Sequence, residues 1–353
     1  MPALDPQQLR FVLESAILAP SADNKHRIRF SGDGDELHIL GTDPELPPAG
    51  SYRRVLALLS LGALAENAII AATRFGVGTS IDLLPEQSRP DTLLRLRFNP
   101  NHLETVEESL WRVIPDRQTN RRLRFRGPRL TSDQQAALEQ RCSDEHGTRL
   151  VWLDEPPLRR AALKLLRMAE SERFRNPILH EELFSSIRFD AGWETSTEEG
   201  LPPGALGIEV PLRPFFSRLE SWPIMRALTR AGVHHALGLR AADLPCRLAP
   251  HLVILSIQAQ TDSASFAAGR SLERVWLDLT QFGFAVQPMA AAALYAMPTS
   301  TSDGIPQNLQ RNLADAWIRL LPESQPLIAL RIGHSMEMPV RTSRPPPNSF
   351  FLT

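Results

Sequence analysis

Between residues 52 and 75 the chain runs through leucine, alanine and isoleucine with almost no polar break. A helix that is apolar nearly all round has to be covered on every side, so it belongs at the centre of a core. Glu66 and Asn67 interrupt its most apolar part, residues 55–72, and a buried helix is expected there rather than a membrane span. The stretch ends in Gly76-Val77-Gly78 with no third glycine at the dinucleotide spacing, which excludes a Rossmann-type site.

The remaining elements are expected to assemble around this helix. Asp5, followed by Pro6 and Gln8, has the form of a capping box, and Leu9, Val12, Leu13, Ala16 and Ile17 then share one face. Pro20 stops that helix, so the loop Ser21–Asn24 is fixed at an edge of the core. Residues 36–40 suit a short strand bracketed by Gly32, Gly34 and Gly41, and Leu94, Leu96 and Phe98 alternate with Arg95 and Arg97 as in a strand with one buried face. Ser132 with Gln135 opens a helix to Cys142; a strand at 149–153 and a helix at 156–174 follow. Residues 175–248 are rich in proline, glycine and aromatics with little periodicity, the character of a lid or covering flap. A strand at 252–258, a helix at 269–282 and a buried strand at 327–332 complete the pattern.

At 353 residues, with 42% apolar and 22% charged side chains, the chain is long enough for two modules with a sizeable core. Its net charge of −1 provides no global field toward nucleic acid or an anionic membrane. The arginine run 121–126 is the one segment that suits a nucleic-acid contact, and the charge balance and lack of a recognition helix argue against it. Cys142 and Cys246 form no framework and the first residues show no secretory signal, so a reduced, cytoplasmic setting is expected. Neither His180-Glu181-Glu182 nor His234-His235 has metal-ligand spacing, and no metal is expected.

Two distant stretches carry the chemistry. In Asp116-Arg117-Gln118-Thr119-Asn120-Arg121, alternate positions place two guanidinium forks and a hydroxyl on one side of an extended backbone, a match for a phosphate. In Pro20-Ser21-Ala22-Asp23-Asn24, a loop at a helix end can offer backbone donors and a side-chain amide to a flat heterocycle. Together they suggest a bound nucleotide.

These stretches resemble the two motifs of the nitroreductase family, Arg-x-Ser/Thr-x-Arg/Lys and Pro-Ser-x-x-Asn-x-Gln-Pro-Trp-x-Phe. The resemblance implies an α+β fold and an FMN cofactor, with an internal pseudo-dimer of two modules, each an antiparallel sheet packed by helices. Glu182-Leu183-Phe184 and the Gly-Leu-Pro stretch at 200–202 further resemble the branch typified by the mycobacterial Acg protein, in which one chain holds two fused halves and a lid. The implied division is residues 1–112 and 113–353, with the lid at about 175–248 and one flavin site per chain. Arg117, Thr119, Asn120 and Arg121, with Arg341 or Arg344, are the implied phosphate contacts. Pro20, Ser21, Ala22 and Asn24, with Gln287, Pro288 and Met289 in the loop expected after the 269–282 helix, are implied near the ring. The sequence departs from the motif at His26-Arg27-Ile28, where the family has Gln-Pro-Trp.

The implied activity is two-electron reduction of nitroaromatic, quinone or similar small acceptors, with NAD(P)H as a transient donor. The alternative is a protein that stores FMN beneath its lid without turnover. Such a chain acts as a monomer or as a dimer of pseudo-dimers.

Overall fold

A computed structural model of the chain describes residues 2–43, 46–86, 90–100, 110–144, 146–298 and 303–351. Its strands form two antiparallel sheets of the same design. In the first, β1 (Ile28–Gly32), β2 (Glu36–Gly41), β3 (Gly78–Leu83) and β4 (Thr92–Asn99) lie in the order β1-β2-β4-β3. In the second, β5 (Arg149–Trp152), β6 (His251–Ile257), β7 (Ala285–Met289) and β8 (Gln325–Gly333) repeat that order as β5-β6-β8-β7. A capped helix precedes each sheet, Pro6–Ile17 and Ser132–Cys142, and a long helix joins the second strand of each to the third, Tyr52–Thr73 and Asp262–Gln281. The fold is α+β, with one plan used twice.

The two long helices pack on each other at the centre. Their backbones touch because each has a glycine at the crossing: a Cβ on Gly62 would lie 2.1 Å from the Phe266 carbonyl oxygen, and one on Gly269 would lie 2.2 Å from that of Leu59. The contact is reciprocal in the cores too. Tyr52, Val55 and Leu59 of the first helix pack into the core of the second sheet, and Phe266 of the second helix packs into the core of the first. The helix Tyr52–Thr73 is long and apolar enough to cross a membrane, yet 83% of its most apolar window is buried within the protein. Glu66, its buried carboxylate, is covered by Arg270 at 2.7 Å and by Arg274.

The first capping box forms as expected: Asp5 accepts from the Gln7 and Gln8 amides, and the Gln8 side chain accepts from the Asp5 amide. The second forms one residue earlier than expected, on Thr131 and Gln134. Its entry is fixed by the buried Leu130, whose amide donates to His251 Nε2 at 2.9 Å, a long-range contact that Ser132 could not foresee. The helix expected at 269–282 begins two turns sooner, at Asp262, with Thr261 as its cap.

Two expectations are corrected. Gln287, Pro288 and Met289 are not in a loop but in β7, where proline is tolerated because β7 lies at the end of its sheet. Residues 175–248 are not irregular: they contain the helices Pro177–Ser185, Trp222–Arg230 and Val233–Gly238, around an apolar cluster of Phe174, Phe184, Ile187, Leu219 and Met225. The helices are short and proline-punctuated, and this hides their period.

Candidate functional site

The first helix ends before Pro20, and the chain turns through Asp23 and Asn24, both in the left-handed region at φ 53° and 55°. Strain of this kind persists only where the surroundings over-determine it. Here Asn24 supplies the constraint. Its amide donates to the Glu198 and Gly200 carbonyls of the insertion at 3.1 and 3.2 Å, and its Oδ1 accepts from Arg344 at 2.5 Å. Arg344 in turn donates to the Ile17 and Ala19 carbonyls at 2.8 and 3.1 Å. The loop, the insertion and the C-terminal segment are thereby tied into one corner.

The arginine motif lies along the free edge of β7. Thr119 bridges to Val286, and the Asn120 amide donates to the Val286 carbonyl at 2.9 Å. Alternation then sends Arg117, Thr119 and Arg121 one way and Asn120 the other, where its side chain donates to the Met336 carbonyl at 2.8 Å. Behind the motif, the fully buried Arg331 donates to the Arg122, Leu123 and Pro245 carbonyls and to Gln287 Oε1. Gly207 of the insertion, at φ +70°, seats so closely on the motif that a Cβ there would lie 2.2 Å from the Arg121 carbonyl oxygen.

Two hollows open between these elements. The larger, of about 390 Å³, has Pro20, Ser21 and Ala22 on one side, Thr119 and Arg121 on another, and Gln287, Pro288 and Met289 on a third. Its walls are apolar, with Leu56, Leu59, Leu272, Trp276 and Leu294 from the core and Leu183, Ile187, Leu206 and Phe216 from the insertion. The smaller, of about 130 Å³, shares Pro20, Ser21, Asp23, Thr119 and Arg121 with it and adds Asn24, Arg117, Arg341 and Arg344. Every candidate residue except Asn120 therefore lines one hollow or both.

The four arginines of the smaller hollow are not alike. Arg117 is committed to the interior, with Glu273 at 3.0 Å, the Leu18 carbonyl at 2.7 Å and the ring of Trp276 beneath its guanidinium at 4.6 Å. Arg341 is partly exposed and pairs with Glu337 at 2.6 Å. Arg121 and Arg344 have only neutral hydrogen-bond partners, a carbonyl at 3.3 Å for Arg121 and carbonyls, Asn24 and Thr342 for Arg344, while Asp23 acts on Arg121 and Glu273 on Arg344 through charge alone. Burial pushes both guanidiniums down to about 10, opposed by Asp23 and reinforced by Arg173 at Arg121, and reinforced by Arg117 and opposed by Glu273 at Arg344. Two half-buried guanidiniums whose direct hydrogen-bond partners are all neutral can turn donors toward an anion.

Several lining residues were not read from the sequence. Both tyrosines of the chain, Tyr52 and Tyr295, meet edge to face in the wall of the larger hollow, with centroids 5.9 Å apart. Burial raises the pKa of each phenol, and neighbouring Glu182 adds to this at Tyr52. Arg173, beside them, pairs with Glu170 at 3.2 Å; burial opposes its charge, but Glu170, Tyr295 and Asp23 outweigh it and raise its pKa. Tyr52 and Arg173 sit inside helical patterns and Tyr295 just past a short helix, and no local signal separates any of them from a core or surface position.

No protein-family model matches the chain. Among curated proteins it is 27% identical over 295 residues to the uncharacterized protein MT1398 of Mycobacterium tuberculosis (strain CDC 1551 / Oshkosh), a match covering 81% of this chain and 39% of that protein. The chain thus spans well under half the length of that relative. It is 25% identical over 334 residues to the uncharacterized protein Rv3127 of M. tuberculosis (strain ATCC 25618 / H37Rv), covering 88% of this chain and 86% of the other. Among solved structures it is similar to the FMN-dependent nitroreductase NfnB from Mycobacterium smegmatis in complex with NADPH, at 15% identity and TM-score 0.35 over 65% of this chain and 88% of that one. A nitroreductase with bound FMN from Bacteroides fragilis is similar at 11% identity and TM-score 0.34, over 64% and 88% of the two chains.

Proposed function

We propose that this chain is an FMN-binding oxidoreductase of the nitroreductase type, passing two electrons to a nitroaromatic, quinone or similar electron-poor acceptor. The observation that carries this reading is the pairing of the two hollows: an arginine-lined hollow of about 130 Å³ opening onto an apolar-walled one of about 390 Å³. A flavin mononucleotide has the same two ends, a phosphate and a large flat ring. The larger volume lies within the usual range of cofactor sites. Ser21 borders both hollows, and its Oγ is buried with no protein partner, a position that a hydroxyl of a ribityl chain would satisfy.

In this reading Arg121 and Arg344 hold the phosphate, with Arg341 at the rim. Arg117 keeps the loop end at Leu18 in place, and Asn24 ties that loop to the insertion and the C-terminal segment. Gln287, oriented by Arg331, and the backbone of β7 border the ring, while Leu59, Leu272 and Trp276 exclude water from its slot. When bound, the flavin supplies hydride chemistry, with NAD(P)H as its transient donor. The repeated strand order supports two fused halves, 1–112 and 113–353, and the apolar wall from residues 183–216 supports a lid within 175–248.

The purified protein is expected to be yellow with oxidised-flavin absorbance, and Arg121→Ala to lose at least about tenfold in FMN affinity, the loss of one charge-assisted contact or two. A colourless protein that takes up no FMN overturns the reading. Anaerobic NADPH or NADH is expected to bleach the flavin; a flavin that stays oxidised assigns the site to FMN storage.

A further inference from the structure

Tyr295 lines the larger hollow and not the smaller one. It stands at the end of the short helix Ala291–Leu294, just after β7, so the segment that places Gln287, Pro288 and Met289 also places it. Only 6% of it is exposed, and its phenol makes no hydrogen bond among the described residues. The other tyrosine differs, since the Tyr52 hydroxyl donates to Glu182 at 3.5 Å. A buried tyrosine hydroxyl usually finds a partner, and one that lines a cavity without any marks a place for a ligand atom. The charges around it call for no charge on that ligand: in the lining, Asp23, Glu170 and Glu182 are matched by Arg121, Arg173 and Arg240. Burial, opposed by Arg173 and reinforced by Glu170, Glu182 and Asp23, raises the pKa of the phenol, so the proton stays on its oxygen and is available to donate.

We infer that Tyr295 selects the electron acceptor, its hydroxyl donating a hydrogen bond to an oxygen of a neutral quinone or nitro compound in the larger hollow. The inference rests on the flavin reading, which calls for an electron-poor acceptor in that hollow. Quinone and nitro oxygens carry lone pairs and no hydrogen, so of the two roles a phenol can take only donation is open. The Tyr52 ring, edge to face at 5.9 Å, holds the Tyr295 ring in orientation, and the Arg53 guanidinium lies over Tyr52 at 5.1 Å. Leu56, Ala291 and Leu294 offer an apolar seat for the body of such a molecule. No proton or electron passes through the tyrosine; it positions the acceptor by one hydrogen bond.

The test is calorimetric titration of the oxidised, FMN-loaded protein with menadione, a quinone, and with methylnaphthalene, which has the same carbon skeleton without the oxygens. Tyr295→Phe is expected to weaken menadione binding about fivefold, the share of one neutral hydrogen bond, while leaving methylnaphthalene affinity and flavin content as they were. Because the hydroxyl has no protein partner, the variant is also expected to keep the thermal midpoint of the acceptor-free protein. Equal menadione affinity in the two proteins, an equal loss for both ligands, or a lower flavin content in the variant each overturns the assignment, the last because it places the hydroxyl on the flavin. A lowered midpoint overturns it too, by showing that the hydroxyl is bonded within the protein. A protein that takes up no FMN overturns both readings, whereas a yellow protein whose variant binds menadione as before overturns this inference alone.

Discussion

Arg117 and Arg121 occupy equivalent places in the motif, yet burial gives them different work. Arg121 faces the hollows with a carbonyl as its hydrogen-bond partner and no ion pair, whereas Arg117 pairs with Glu273, a carboxylate with no exposed surface. Removing Arg117 leaves that carboxylate buried without its ion-pair partner, a change that costs about 3–5 kcal/mol. Its dependence on pH has a definite sign. Burial already raises Glu273 from 4.5 to about 7 against the pull of Arg117 and Asn67. Between those values the folded chain keeps a proton that the unfolded chain has released, so this group's contribution to stability is full below the lower value and is lost as pH rises to the upper one. Without Arg117 the upper value moves higher and the loss extends further. Urea melts are expected to show Arg117→Ala losing stability relative to the unaltered protein as pH rises from about 5 to about 8, and Glu273→Gln in that background removing the slope. A slope that persists in the double variant would show that the pair is not its source.

At the scale of elements, the crossing of the two long helices decides the geometry of everything around it. Gly62 and Gly269 permit backbone contact, and any side chain there meets a carbonyl oxygen of the facing helix. Gly62→Val is therefore expected to destabilise the protein by about 3 kcal/mol or more, measured by urea denaturation. A cost below about 0.5 kcal/mol at Gly62 would mean that the helices slide apart freely. Elements with strong local signals were legible in the sequence: the apolar helix at 52–73, the Asp5 box, the alternating β4. Elements whose identity depends on a partner were not. β7 contains a proline and is a strand because β8 pairs with it, and the first turns of Asp262–Gln281 lead into Phe266 and Gly269, whose backbone lies against Gly62.

Across the whole molecule, the candidate site draws on the first loop, the insertion, the arginine motif, β7 and the C-terminal segment at once. A ligand held by all of these stabilises only the fully assembled chain. Added FMN is expected to raise the midpoint of one cooperative thermal transition, by calorimetry, and not to split it; a flavin-insensitive second transition would show that one half folds without contributing to the site. The sequence by itself determined the buried central helix, the capped helix that places Ser21–Asn24, and the alternation that turns Arg117, Thr119 and Arg121 to one side, because each is a property of neighbours along the chain. Only the tertiary structure decided that Arg121 makes no ion pair among the described residues while Arg117 pairs with Glu273, that Asn24 braces the loop, and that both tyrosines meet in one wall. Those outcomes turn on burial and on partners distant along the chain, and a local pattern has no term for either.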